Sequence, residues 1–162
     1  DYTVEAGRSS LCLATSERVK AEVRSIADLH KSSVHKIGVG DPESVAVGHY
    51  ARQALSKAGL WQELEPRLVY SQSGCELLKW LGLGRDIDAA IVFSVCEKQD
   101  GGSVQVVHEF PADIIPPVPL ILGVSKSSRE PEEARRFVDF VAGAQAVETL
   151  RKHHIAPMDA HD

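Results

Sequence analysis

Residues 36–55, Lys-Ile-Gly-Val-Gly-Asp-Pro-Glu-Ser-Val-Ala-Val-Gly-His-Tyr-Ala-Arg-Gln-Ala-Leu, constrain the fold more than any other stretch of the chain. The short apolar run from Lys36 is closed by Gly40-Asp41-Pro42, the pattern of a buried strand ending in a turn. Beyond Ser44, apolar residues recur at Tyr50, Ala51, Ala54, Leu55 and Ala58, one stripe of a helix that stops at Gly59. The segment therefore reads as strand, tight turn, helix. In such a unit the first helical turn offers unpaired backbone N–H groups and the positive end of the helix dipole, a seat for an anion. The plain alternative is a βα unit whose amides are capped by Ser44 and water, and most such units bind nothing.

The alternation continues along the chain. Residues 10–14 read as a strand, and Ile26, Ala27 and Leu29 mark a short helix capped by Ser25. Leu60 to Leu64 adds a turn before Pro66, and Arg67 to Tyr70 is a third strand. Ser73-Gly-Cys-Glu76 has the spacing of a capping box ahead of Leu77, Leu78, Trp80 and Leu81, placing a second helix N-terminus after a second strand. Asp88 to Phe93 is almost continuously apolar, as expected of a strand covered on both faces. A turn over 99–102 leads to a strand over 104–107, and residues 111–119, with four of the eight prolines, read as an extended connection. Leu120 to Val124 reads as another buried strand. Pro131 opens a helix with Glu132 and Glu133 in its first turn and Ala134, Phe137, Val138 and Val141 as its inward stripe. After Gly143, residues 144–153 read as a final helix with Ala146, Val147 and Leu150 inward. Tyr70 and Trp80 read as packing residues. Strand and helix alternate nearly throughout, which predicts an α/β sandwich with a mainly parallel sheet.

Composition narrows the function classes. A net charge of −5 over 162 residues gives no basic field for nucleic acid, and no apolar run is long enough to cross a bilayer. The start at Asp1, without Met, reads as a processed or truncated product. Three cysteines, Cys12, Cys75 and Cys96, leave at least one unpaired, and none has zinc-site spacing. Cys12 and Cys96 read as buried thiols in strands, and the redox compartment stays open.

The order Gly40-Asp41-Pro42-Glu43-Ser44-Val45, Gly48, Tyr50-Ala51, Ala54-Leu55 and Gly59-Leu60-Trp61 resembles the second-lobe signature of the periplasmic molybdate-binding proteins of ABC transporters. The resemblance continues through Pro66-Arg67-Leu68-Val69-Tyr70, Asp88-Ala89-Ala90-Ile91-Val92, Phe110-Pro111 and Pro131-Glu132-Glu133-Ala134, covering about Leu11 to Pro157. It implies a periplasmic-binding-protein-like fold of the type II superfamily, with one complete lobe and part of a second. Residues 1–117 would form the ligand-binding lobe, 118–157 a return into the first lobe, and 158–162 a frayed tail. It implies a non-enzymatic solute-binding protein, without cofactor, that captures molybdate or tungstate and presents it to a membrane permease from a periplasmic or extracytoplasmic position.

In that family the tetrahedral dianion is held mainly by backbone amides and hydroxyls, without a cationic side chain. Residue by residue, the amide in the loop before the helix falls on Val47, the amide opening the next helix on Gly74, and the tyrosine hydroxyl on Phe93. Phenylalanine has no donor, so that contact is absent. Ala46 stands where proline is common, and Cys96 where an acidic residue is often kept. The family's N-terminal first-lobe segment has no counterpart before Asp1, so the chain reads as a fragment, as a lobe completed by exchanging elements with a second copy, or as a degenerate relative. From a different class, the same fold serves as the effector-sensing domain of a cytoplasmic transcriptional regulator. The remaining constellations read as structural: His49 as a surface residue beside the seat, His153, His154, Met158 and His161 as an exposed terminus, and Asp86 and Asp88 as lying at the wrong end of a strand for catalysis.

Overall fold

A computed structural model describes residues 2–83, 87–99 and 104–158. The turn expected over 99–102, Asp86, His161 and the end of the tail fall largely or wholly outside them. In chain order the strands and helices are β1 Thr3–Ser9, β2 Leu11–Thr15, β3 Ile37–Gly40, α1 Ala46–Lys57, α2 Trp61–Leu64, β4 Leu68–Ser71, α3 Gly74–Gly82, β5 Ala89–Phe93, β6 Gln105–Glu109, β7 Val118–Gly123, α4 Pro131–Ala142, α5 Val147–Lys152 and β8 Ala156–Pro157. Single 3-10 turns span Ile26–His30 and Ser94–Gln99.

The chain divides into two compact units, one of Ser10–Pro116 and the other of Asp1–Ser9 with Pro117–Asp162. Residues 1–9, read from sequence with the larger lobe, instead supply β1, which pairs antiparallel with β7 and β8. The larger unit holds a five-stranded sheet in the order β4-β3-β5-β2-β6. β3 is parallel to β4 and β5, β2 is antiparallel to β5, and β6 is antiparallel to β2. Four strands thus share one direction and β2 opposes them, a mixed sheet that keeps the mainly parallel character expected.

Alternation along the strands sorts side chains into two cores. Leu11, Leu13, Ile37, Val39, Ala89 and Ile91 join Ala51, Ala54 and Leu55 of α1. Ala14, Ala90 and Val92 join Leu77, Leu78 and Leu81 of α3. The two helices therefore cover opposite faces of one sheet, which is why β5 reads as a continuous apolar run. The turn from β3 into α1 depends on a glycine pair: a Cβ at Gly48 would lie 2.2 Å from the carbonyl oxygen of Gly40. Helix α1 ends as its sequence predicts. Gly59 takes φ +73°, and the N–H groups of Leu60 and Gly59 close back on Leu55 and Ser56 in a Schellman turn.

The smaller unit has a three-stranded sheet, β7-β1-β8, with α4 against β1. Two expectations fail here. β7 is not buried: its residues alternate between half-buried and exposed, and Ile121 is 54% exposed. On α4 the inward stripe is Ala134, Val138 and Val141, while Phe137 is 66% exposed, because the sheet is too narrow to cover a wider helical face. In the larger unit, Tyr70 likewise projects outward at 46% exposure, whereas Trp80 packs on the α3 core.

Candidate functional site

The parallel strands β3, β4 and β5 deliver three turns to one end of the larger unit's sheet, the end where open α/β sheets gather ligands. After β3, Asp41 organises its loop as an Asx turn. Its carboxylate accepts hydrogen bonds from the Glu43 amide (3.0 Å), the Ser44 hydroxyl (2.8 Å) and the Gln72 side chain (3.3 Å). Those contacts, the Glu43 amide foremost, hold Asp41 below its ordinary carboxylate range. Ser44 is thereby engaged with Asp41 and Gln72 and does not cap the helix, whose N-cap residue is Val45.

The first amides of α1 consequently stay open. Gly48 and His49 donate back to the Val45 carbonyl at 3.0 and 3.1 Å, and among the described residues nothing accepts from the N–H of Ala46 or Val47. The same holds at α3. The capping box read from Ser73 and Glu76 does not form: the Ser71 hydroxyl intervenes, its single proton facing Glu76 Oε2 (2.5 Å) with the Ser73 carbonyl oxygen at 3.0 Å, while it accepts from the Ser73 amide (3.1 Å). Glu76 and Leu77 donate to the Ser73 carbonyl, and among the described residues no acceptor takes the N–H of Gly74 or Cys75.

Although α1 and α3 lie on opposite faces, their mouths adjoin. A Cβ at Gly74 would sit 3.5 Å from Cγ1 of Val47 and 3.6 Å from Sγ of Cys96; one at Gly40 would meet the same Val47 methyl at 2.8 Å. The buried Val47 side chain is thus wedged between two glycines, which brings its helix turn beside that of Gly74. Phe93 ends β5 on the α1 face, half-buried, its ring edge-on to Tyr50 at 6.1 Å. His49 is exposed and its ring nitrogen lies 2.7 Å from the Gln53 amide.

Cys96 is not in a strand as expected but in the 3-10 turn after β5, buried, with its sulfur 3.1 Å from that of Cys75. Burial and the neighbouring Cys75 thiol push Cys96 up to about 12, so it carries no charge at neutral pH. Sequence reasoning missed Asp41, Ser71 and Gln72. The Asp-Pro-Glu-Ser order announces the Asx turn, but nothing local announces that Ser71 displaces Ser73.

At the opposite end of the sheet, Asp88 is 5% exposed, paired with Arg18, and accepts from the amides of His35 (2.7 Å) and Lys36 (3.1 Å). Burial alone would raise its pKa; Arg18 and the two amides outweigh it and hold the carboxyl below its ordinary range. The group is structural, in keeping with its place at the start of β5.

Comparison with known proteins matches residues 1–156 to the family described as bacterial extracellular solute-binding protein. The chain is 26% identical to the molybdate-binding protein ModA of Rhodobacter capsulatus over 153 residues, covering 94% of this chain and 58% of that protein. It is 30% identical to ModA of Escherichia coli K12 over 122 residues, covering 73% of this chain and 45% of that protein. In three dimensions it superposes on the periplasmic molybdate-binding protein of Azotobacter vinelandii with a TM-score of 0.81 at 18% identity, covering 97% of this chain and 68% of that one. The chain spans about half the length of the curated relatives it matches.

Proposed function

The chain belongs to the bacterial extracellular solute-binding protein family, and we propose that it captures a tetrahedral oxyanion of the molybdate or tungstate class for the membrane permease of an ABC importer. The observation that carries this reading is the pair of adjoining helix mouths with open amides at Ala46, Val47, Gly74 and Cys75. Oriented N–H dipoles stabilise a buried dianion without a counter-charge, and a site lacking lysine or arginine releases its ligand readily. Phe93 supplies no hydroxyl, and the missing charge-assisted bond weakens binding by ~1.5–3 kcal/mol, roughly ten- to a hundredfold. The neutral Cys96 thiol, standing where the resembled family often keeps an acidic residue, sets no negative charge beside Gly74. The role is binding and delivery outside the cytoplasmic membrane, with no catalytic step and no cofactor.

Isothermal titration of molybdate, tungstate and sulfate into the protein tests the reading. Saturable binding of molybdate and tungstate supports it; no binding of any of the three contradicts it.

A further inference from the structure

We propose that Cys75 and Cys96 are a redox pair that closes to a disulfide across the ligand-gathering end of the larger unit's sheet. All three cysteines are present as thiols, and the Cys75 and Cys96 sulfurs stand 3.1 Å apart. A disulfide requires about 2.05 Å, so closure asks for a movement of about 1 Å shared between two side chains. One sulfur rides on the first turn of α3 and the other on the short turn after β5, so neither belongs to a strand that must shift. The pair is also asymmetric in access. Cys75 is half-buried and borders an open groove of about 430 Å³ with Ser73, Glu76, Lys79, Trp80 and Leu83, whereas Cys96 lies underneath it, buried.

That asymmetry sets the order of events. The Cys75 thiolate attacks one sulfur of a small disulfide such as oxidised glutathione, forming a mixed disulfide and releasing one glutathione thiolate. Cys96 then gives up its proton and attacks Cys75 Sγ, expelling the second glutathione thiolate. Two protein thiols are oxidised by two electrons, the oxidant disulfide becomes two thiols, and the two protons pass to the departing thiolates. Burial holds Cys96 protonated, so the second step is the slow one. The covalent bond ties the first turn of α3, next to Gly74, to the turn that carries Cys96. This inference stands whether or not the site binds an oxyanion.

The test is equilibration of the chain in a glutathione redox buffer, acid quench, alkylation and tryptic mapping. The expected product links peptide 68–79, holding Cys75, to peptide 86–98, holding Cys96. It should exceed every other thiol product by about tenfold or more and persist in Cys12→Ala, since closure places the two sulfurs in one covalent unit. Oxidation should raise the Tm by about 5–10 °C, reversibly with dithiothreitol, and that rise should vanish in Cys75→Ser and in Cys96→Ser. Full alkylation of both residues, a lasting glutathione adduct on Cys75, or a link through Cys12 would each overturn the proposal.

Discussion

The two ends of the five-stranded sheet treat their polar groups in opposite ways. At the end where β3 and β5 begin, the buried carboxylate is matched: Asp88 is surrounded by Arg18 and the amides of His35 and Lys36, and its own backbone closes with Ser16 and Lys36. At the end where they finish, Asp41 and Ser71 arrange the turns, yet the leading amides of α1 and α3 are left open side by side. Satisfied groups lock a fold, and open donors of one sign await a ligand of the other. A carboxylate therefore stabilises one end, and under the proposed function an anion from solution would complete the other.

Breaking the junction between strand and helix has the largest expected effect. Gly48→Ala drives a methyl into the Gly40 carbonyl, and unfolding in urea should show a loss of about 3 kcal/mol together with loss of anion binding. Next comes the clasp at the other end. Asp88→Ala strands two backbone amides and Arg18, costing about 2–3 kcal/mol in urea unfolding while leaving anion affinity of the folded protein unchanged. Because Asp88's carboxyl is held below its unfolded value of ~3.9, its contribution is fully present above that pH and is lost as pH falls through the lower folded value. The acid limb of a stability profile should therefore be steeper in the wild type than in Asp88→Asn.

Two smaller changes sharpen the contrast at the open end. Phe93→Tyr, a substitution at the half-buried end of β5, restores a hydroxyl and should tighten oxyanion binding by about tenfold in titration calorimetry. His49→Ala should alter neither affinity nor stability beyond about 0.5 kcal/mol, since the ring is exposed and bonded only to Gln53 among the described residues.

Much of the larger unit is legible in its sequence because local signals and burial agree there. The β3–α1 unit, the Gly59 cap and the doubly covered β5 each combine a periodic apolar pattern with a glycine or turn residue where the chain must bend. The smaller unit is harder to read. β1, Thr-Val-Glu-Ala-Gly-Arg-Ser, buries only Ala6 deeply among its hydrophobic residues and draws its order from β7, more than a hundred residues away, which no local pattern encodes. β7 misleads in the other direction, since its apolar run suggests two covered faces where alternate residues are exposed. At the candidate site, Val47 and Gly74 are what the family resemblance implies, and their adjacency depends on the order β4-β3-β5, which sends successive helices to opposite faces and returns their mouths to a common edge. The Cys75–Cys96 approach has the same origin and escapes a reading based on spacing.

The most direct measurement compares molybdate binding by the wild type, Gly74→Pro and Gly74→Ala. Gly74 is the first residue of α3, where proline is favoured and deletes only the amide donor, and a Cβ there meets Val47 and Cys96 at ordinary contact distance. Gly74→Ala should bind within about twofold of wild type, while Gly74→Pro, equally stable, should bind roughly ten- to a hundredfold more weakly. Unchanged affinity in a folded Gly74→Pro protein would contradict the claim that these helix-mouth amides hold the anion.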